Sequence, residues 1–394
     1  MDVDSQSLLI AGPEREGNSS ASGFTLRGFT FLGFISFVCV GCGSESNFAR
    51  PAILWNPATY VSYRTDSAIT VDGVGNEPQW AMAPWTSEFV DITGDPTLEP
   101  RFRTRVKMLW DDRYWYFLAE LQEPHVWGTI RQRDSVIYQD NDFEIFIDPD
   151  GDSHEYYELE INALGTEWDL MLIKPYRDGG PALNAWDIQG LQTAVSVDGT
   201  LNNPQDRDTG WNIEVAIPWA VMKEAAHVPT PPNNGDQWRL NFSRVEWQTD
   251  LVDSAYVRKR GPDGLPAAED NWVWSPQGLV AMHYPEMWGV VQFSTQVVGQ
   301  GQDEFVVRPT DAAKQVLYEV YYEQRTWFDQ HGYYARSMAA LGLADRVAIE
   351  GFNWPPLIET TANHFEASLQ DEFGTVVSVT NDGHANIRRV AGGE

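Results

Sequence analysis

Residues 140–172, DNDFEIFIDPDGDSHEYYELEINALGTEWDLML, contain the pattern that decides the fold of this chain. Apolar and polar residues alternate with period two on both sides of DPDGD, which has the composition of a turn. Successive strand residues point to opposite faces, so each arm has one apolar face and one face rich in carboxylates and amides. The pattern predicts an antiparallel β-hairpin. A solvated outer surface is the commoner role for such a polar face, and a site for hydroxyl-rich ligands is the alternative.

The surrounding chain repeats this alternation in short segments separated by turn signals. The other main strands are predicted at residues 104–110, 114–121, 211–218, 239–247 and 290–294. A short helix is expected at residues 219–226. Many short strands with few helices predict a mainly β protein, an antiparallel β-sandwich or jelly roll. Arg105 and Lys107 share a strand face and would balance Glu144 and Glu160 if their strands were neighbours.

The charge and the aromatic content narrow the possible ligands. The chain has 27 Lys and Arg against 57 Asp and Glu, with a formal net charge of -30 and a pI near 4.4. This balance argues against nucleic acid, which needs clustered basic residues, and against docking to anionic lipid by charge alone. The 17 Trp exceed what a core of this size requires. Some of these rings are therefore expected on the surface, where they could stack on pyranose faces.

Both cysteines, Cys39 and Cys42, lie at the end of an apolar run that begins after Arg27. This run has the length of a signal-peptide core, so a redox or zinc role for C-x-x-C is disfavoured. The sequence Cys-Val-Gly-Cys resembles a bacterial lipobox, in which small residues precede the lipidated cysteine. We expect residues 1–43 to be a leader and residues 44–65 a linker. The protein would then be a lipoprotein of the bacterial envelope, held to the membrane by the lipid on Cys42, with simple secretion as the alternative.

The C-terminal part differs in character from the central part. Residues 310–330 have helical periodicity with an acidic residue near the start, which suits the helix dipole. A second short helix is predicted at residues 336–341, and strands are predicted at residues 365–370, 375–380 and 385–388. Residues 300–394 are therefore predicted to form a small α+β extension that packs against the sandwich. The pattern faintly resembles the head of type IV pilins.

Six segments together carry a stronger resemblance, to the family 9 carbohydrate-binding modules. Besides the hairpin they are VDGVGNEPQW at 71–80, VKMLWDDRYWYFLAEL at 106–121, GWNIEVAIPW at 210–219, WRLNFSRVEW at 238–247 and WSPQG followed by HYPEMWGVVQF at 274–293. They occur in the order found in the family. The resemblance implies that residues 66–295 form one carbohydrate-binding β-sandwich.

The resemblance also implies a set of ligand-binding residues. In the better-known members a sugar lies between two tryptophans, beside a glutamate of the EIFID strand. Glu144 matches that glutamate, and Tyr138 falls where the first tryptophan stands. The second falls near Met282, where Tyr284 or Trp288 could compensate. The whole implied set is Tyr138, Glu144, Glu160, Asn162, Met282, Tyr284 and Trp288.

The acidic turn that starts at Asp148 does not match the pattern of an EF-hand calcium loop. An EF-hand register that starts at Asp148 puts Ser153 at the glycine position and Leu159 at the position of the bidentate glutamate, so it fails at the two most demanding positions. Relatives in the resembled family do bind structural calcium. The resemblance therefore implies Ca²⁺ at Asp148, Asp150 and Asp152, with other oxygen atoms completing the site.

Three functions are compatible with these observations. The favoured one is non-catalytic carbohydrate binding in support of carbohydrate catabolism. The second is a glycoside hydrolase that uses Glu144 with Glu158 or Glu160, or an accessory module of a partner hydrolase. The third is a haem-binding electron-transfer domain with ligands among Met282, His283 and Met287. The extension of roughly a hundred residues is too small for a separate catalytic domain, which disfavours the hydrolase.

Overall fold

The computed structural model describes residues 48–390, and within them the chain is mainly β. The strands are β1 (Thr59–Arg64), β2 (Val90–Asp91), β3 (Thr104–Trp110), β4 (Tyr114–Gln122), β5 (Asp142–Asp148), β6 (Tyr156–Asn162), β7 (Glu167–Leu172), β8 (Ala182–Leu183), β9 (Gln192–Asp198), β10 (Gly210–Pro218), β11 (Gln237–Glu246), β12 (Thr249–Val252), β13 (Ala255–Arg258), β14 (Asp270–Val273), β15 (Gly289–Val297), β16 (Leu357–Thr360), β17 (Phe365–Gln370), β18 (Thr375–Thr380) and β19 (Ala385–Arg389). The α-helices are α1 (Pro78–Met82), α2 (Trp219–Met222) and α3 (Pro309–His331).

Two layers of strands face each other across the main core. One layer runs β8-β7-β6-β5-β11-β15 and the other runs β3-β4-β10-β9. Phe117 of β4 meets Phe242 of β11 edge to face, with ring centroids 5.9 Å apart. Since the inward residues of both layers belong to one buried cluster, the fold is the predicted β-sandwich.

The first strand joins the two layers. β1 pairs in parallel with β15 of one layer and with β3 of the other. The remaining contacts within each layer are antiparallel, as predicted. Because β1 covers Thr59–Arg64, the sandwich begins before residue 66, and part of the predicted linker at residues 44–65 belongs to the sheet.

The β5–β6 hairpin forms where the alternation predicts it, in the register that pairs Glu144 with Glu160. Its apolar face enters the core, with Ile145 and Leu159 directly opposite each other. All seven residues of each strand are buried, however. The prediction of a solvated outer face is therefore wrong here, because the chain covers the acidic side of this hairpin as well as the apolar side.

The predicted partnership of Arg105 and Lys107 with the hairpin carboxylates is also wrong. β3 lies in the opposite layer from β5 and β6, so the strands are not neighbours. Arg105 instead forms an ion pair with Glu120 of β4, 3.0 Å away. Lys107 donates a hydrogen bond to the backbone carbonyl of Trp80. The acidic side of the hairpin therefore receives no positive charge from β3.

The C-terminal extension is built on α3, which matches the predicted helix within a residue at each end. The helix ends at Gly332, whose φ of 73° is in the left-handed region that glycine tolerates. The predicted strands are present as β17, β18 and β19, and β16 is an additional strand. Residues 336–341 form bends and turns, so the predicted second helix is absent.

The extension packs onto the sandwich through one apolar cluster. Leu317 and Tyr321 of α3 lie in it with Val377 of β18 and with Tyr284 and Met287 from the loop before β15. Within residues 48–390 no helix combines the length and the apolar character needed to cross a membrane. The predicted leader and Cys42 lie outside the described residues.

Candidate functional site

The outer face of the layer that contains β5, β6, β7 and β11 carries the candidate site. One row of cross-strand neighbours runs from Trp168 on β7 through Glu160 on β6 and Glu144 on β5 to Ser243 on β11. Directly opposite residues on one face lie within contact distance. The alternation of each strand therefore assembles side chains that are far apart in sequence into one site.

Four carboxylic acids of this face form what we call the acidic patch, Asp142, Glu144, Glu158 and Glu160. Each is at least nine-tenths buried. Burial raises the pKa of Glu144 to about 7. Burial, with the charge of Glu144 as the next cause, also raises the pKa of Asp142, Glu158 and Glu160 well above the usual range. The four acids therefore resist ionisation, and burial favours their neutral forms.

Two exposed tyrosines stand beside the acidic patch. Tyr138 is 42% exposed, and its backbone N–H donates to Glu160 Oε2 at 3.0 Å. Tyr176 is 52% exposed. Burial, followed by the charges of Glu158 and Glu160, raises the pKa of its phenol to about 12. Each tyrosine thus combines an open ring surface with close proximity to carboxylates, and this pairing suits a ligand with apolar faces and hydroxyl edges.

A half-buried histidine packs against Tyr176. The rings of Tyr176 and His283 meet edge to face with centroids 4.6 Å apart. His283 Nδ1 is 2.9 Å from the Tyr156 hydroxyl. Burial, together with the charge of Arg177, lowers the pKa of His283 to about 3. A neutral imidazole therefore supports the Tyr176 ring at ordinary pH.

Asn162 does not have the predicted role in ligand contact. It is fully buried, and its Nδ2 donates to the carbonyl of Ile130 at 2.8 Å and to Asp140 Oδ2 at 3.0 Å. Its Oδ1 accepts the backbone N–H groups of Leu164 and Thr166. Because the amide already uses its donors and its acceptor within the protein, Asn162 stabilises the loop after β6.

The predicted ligand contacts of Met282, Tyr284 and Trp288 are not found either. Trp288 is fully buried and donates its indole N–H to the carbonyl of Met282 at 2.8 Å. Met282 itself is buried in the same apolar cluster. Tyr284 is buried beneath Arg177, whose guanidinium carbon lies 4.1 Å from the ring centroid. None of the three presents a ring or side chain for stacking, because Met282 and Trp288 are buried against the sandwich and Tyr284 is buried under the C-terminal extension.

The positions of Met282, His283 and Met287 in the same segment disfavour the haem alternative. Met282 and Met287 belong to two different buried clusters. His283, between them in sequence, already has Nδ1 engaged with Tyr156. The three side chains therefore do not converge on one position where they could act as axial ligands.

The acidic turn brings Asp148, Asp150 and Asp152 together, with ligand oxygens within 4.8 Å of one another. Both oxygens of Asp148 already accept backbone N–H groups at 2.9 Å. His384 Nε2 lies 2.8 Å from Asp152 Oδ2, and Lys314 donates to the carbonyl of Gly151 in the same turn. These three carboxyl groups do not suit a calcium site well, because Lys314 and His384 of the extension already contact the turn.

Trp168 and Tyr176 are the site residues that the sequence reasoning did not identify. Trp168 is half-buried beside Glu160, and its indole N–H is buried without a hydrogen-bond partner within the described chain. The period-two alternation extended through β7 places Trp168 on the acidic face, so a signal existed for it. Tyr176 lies in a short helical turn after β7, where no periodicity applies.

Comparison with known proteins gives a family for the central part of the chain. Residues 71–250 match the model of the carbohydrate family 9 binding domain-like family. An exoglucanase, XynX, from Acetivibrio thermocellus is 26% identical over 116 residues, which are 29% of this chain and 9% of that protein. An endo-1,4-β-xylanase A from Thermoanaerobacterium saccharolyticum is 25% identical over 116 residues, 29% of this chain and 8% of that protein. The match thus spans less than a tenth of each relative.

Solved structures were compared as well. A putative carbohydrate-binding protein from Bacteroides uniformis has a TM-score of 0.45 and 16% identity, over 61% of this chain and all of that one. A family 9 carbohydrate-binding module from Caldicellulosiruptor kristjanssonii, in complex with cellotriose, has a TM-score of 0.40 and 15% identity, over 62% of this chain and 98% of that one. The family match covers residues 71–250, and this part of the chain is similar to the carbohydrate family 9 binding domain-like family.

Proposed function

We propose that the outer face around the acidic patch binds carbohydrate without catalysis. The observation that carries this proposal is the placement of two exposed rings, Tyr138 and Tyr176, beside buried carboxylates within the family-matched region. Aromatic rings offer apolar stacking surfaces, and carboxylates accept strong hydrogen bonds from hydroxyls. The unpartnered indole N–H of Trp168 supplies a donor for a ligand oxygen. A pyranose requires this combination of groups.

The arrangement of the carboxylates favours binding over hydrolysis. Glu144 and Glu160 are directly opposite on adjacent strands, with oxygens within 4.8 Å of one another. Glycoside hydrolysis places an acid and a base or nucleophile on either side of the scissile bond. Two carboxylates that project side by side from one sheet face do not flank a bond in this way. A glycoside hydrolase is therefore proposed as a partner, in line with the enzymes that contain similar segments.

A glycan array followed by calorimetry tests the proposal. Cello- and xylo-oligosaccharides are the first ligands to titrate, because the relatives are an exoglucanase and a xylanase by name. We expect saturable binding that is weakened in Tyr138→Ala and Tyr176→Ala and retained in Tyr333→Ala, a control on another exposed tyrosine. Absence of binding to every glycan by folded protein, or equal binding by all three variants, would contradict the proposal.

We further propose that the protein works at the bacterial envelope as a lipoprotein anchored through Cys42. The support is the apolar run and the resemblance of residues 39–42 to a lipobox. A lipid anchor would hold the carbohydrate site at a membrane surface where released oligosaccharides can be captured. One acyl chain alone gives only marginal membrane binding, so stable anchoring requires the multiple acylation typical of such lipoproteins.

A further inference from the structure

Three members of the acidic patch form a compact set of oxygen donors. Asp142, Glu144 and Glu160 each place a carboxylate oxygen within 4.8 Å of the others. Asp142 and Glu144 lie on β5, and Glu160 lies opposite Glu144 on β6. Because they project from rigid, paired strands, their spacing is set by the sheet and does not depend on a mobile loop.

The hydrogen bonds within the protein do not use all the carboxylate oxygens of this set, so some oxygens remain able to bind a cation. Asp142 Oδ1 accepts the backbone N–H of Val245 at 3.3 Å, and Glu160 Oε2 accepts that of Tyr138 at 3.0 Å. Asp142 Oδ2 has no hydrogen-bond partner among the described residues, although the side chain is fully buried. The fourth acid, Glu158, is likewise buried, with Oε2 unpartnered. A buried, unpartnered carboxylate oxygen is costly, which indicates that something else meets these oxygens.

Two other buried acids of this protein are paired with arginine. Arg177 Nη2 lies 2.9 Å from Glu286, and Arg244 Nη2 lies 2.8 Å from Glu246. Throughout residues 48–390 no lysine, arginine or histidine forms an ion pair with a member of the acidic patch. Glu286 and Glu246 therefore have an arginine counter-ion, whereas the four acids of the acidic patch have none among the described residues.

We infer that Asp142, Glu144 and Glu160 bind a divalent, oxygen-seeking cation of the calcium type, which contacts hydroxyl groups of the bound carbohydrate. Carboxylates without nitrogen or sulfur donors suit Ca²⁺ far better than zinc or copper. A calcium ion takes six to eight oxygen ligands. The three side chains leave coordination positions open for water and for sugar hydroxyls.

The electrostatics of the patch agree with this assignment. Its buried carboxyl groups lie close enough to repel one another when ionised. A doubly charged cation removes that repulsion and favours the ionised forms. The inference rests on the proposed carbohydrate function for the sugar contact, whereas cation binding itself is a separate property of the patch.

Calorimetric titration of the metal-depleted full chain with Ca²⁺ tests the cation site. We expect saturable binding that is lost in Asp142→Asn and retained in Asp150→Asn, a matched variant in the acidic turn. Glu160→Gln provides a second variant that keeps an oxygen acceptor for the Tyr138 N–H, and it should also lose the binding. Thermal melts check that each variant is folded. No calcium binding in the wild type, or binding lost only in Asp150→Asn, overturns the inference.

Sugar titrations with calcium and with EDTA separate this inference from the proposed function. We expect the affinity for the best glycan to fall by about tenfold or more in EDTA, the scale of a typical coupling between two ligands. The coupling is reciprocal, so the sugar should tighten calcium binding by the same factor. Equal sugar affinity in calcium and EDTA overturns the cation bridge and leaves the proposed function intact. Calcium binding without any sugar binding supports the cation site and overturns the proposed function.

Discussion

Glu144 and Glu160 lie directly opposite each other on β5 and β6, both buried, on the face of the sheet that points away from the main core. Like charges in this arrangement destabilise a sheet. The presence of both residues at the centre of the candidate site is therefore better explained by ligand binding than by a contribution to stability.

The first prediction concerns Glu144. Replacing it with glutamine removes a charged acceptor, and hydrogen bonds to charged groups contribute about 1.5–3 kcal/mol. Glu144→Gln should therefore weaken glycan binding by about tenfold or more. Calorimetry measures this effect, and Glu372→Gln, in the exposed turn between β17 and β18, is the matched control. Unchanged affinity in a well-folded Glu144→Gln protein would place the site elsewhere.

The second prediction concerns the two rings. Tyr138→Phe should bind sugar nearly as well as the wild type, because the ring face is preserved, whereas Tyr138→Ala should lose about 1–3 kcal/mol of binding free energy. The same contrast is expected for Tyr176→Phe and Tyr176→Ala. If phenylalanine is as damaging as alanine at both positions, the hydroxyl groups and not the rings make the contact.

The third prediction concerns acid stability. His283 has a folded-state pKa of about 3 against an ordinary value of 6.5, so the fold favours the neutral ring. Its contribution to stability is complete above pH 6.5 and is lost as the pH falls towards 3, by up to about 1.4 kcal/mol per pH unit. His283→Gln should melt at a lower temperature than the wild type at pH 7, through loss of the Tyr156 contact. The difference in melting temperature between the two proteins should narrow at pH 4.5, and an unchanged difference would contradict the assignment.

The fourth prediction concerns Trp288. Its side chain lies in a buried cluster with Phe146, Tyr156 and Met282, and its indole N–H is hydrogen-bonded. Trp288→Phe should lower the free energy of unfolding by about 1–3 kcal/mol through lost volume and one lost hydrogen bond. Denaturant unfolding measures this loss. Glycan affinity at a temperature where the variant is folded should change less than in Tyr176→Ala, and the reverse order would restore Trp288 as a ligand contact.

The fifth prediction concerns the anchor. Metabolic labelling with a radiolabelled fatty acid should label the wild type and Cys39→Ala but not Cys42→Ala. Equal labelling of the wild type and Cys42→Ala would contradict the proposed lipidation.

The sequence predicts the strands of this protein well because their signal is local. The alternation through β5 and β6 specifies which side chains face the core, and the composition of DPDGD specifies the turn. Neither signal shows which segments cover the acidic face of the β5–β6 hairpin. The burial of Glu144 and Glu160 depends on neighbouring segments such as the one that contains Tyr138, whose position no local periodicity encodes. For the same reason Asn162 and Trp288 could not be recognised as internal residues.

The site was predictable only in part. Tyr138 and the carboxylates follow from motif position and strand parity, and their contact with sugar stays a prediction. Tyr176 reaches the same face from a turn after β7, through its packing on His283, more than a hundred residues later. Such a contact arises from tertiary packing alone, so motif position predicts the second aromatic residue near Met282 instead of at Tyr176.

The contact between Lys314 and the carbonyl of Gly151 ties the C-terminal extension to the turn between β5 and β6 of the sandwich. Lys314 and His384 both contact the acidic turn, and both belong to the extension. Transplanting residues 59–297 alone into another protein would leave Asp148 and Asp152 without these partners and would expose the apolar surface under α3. The sandwich is therefore expected to fold stably only when its C-terminal helix is present.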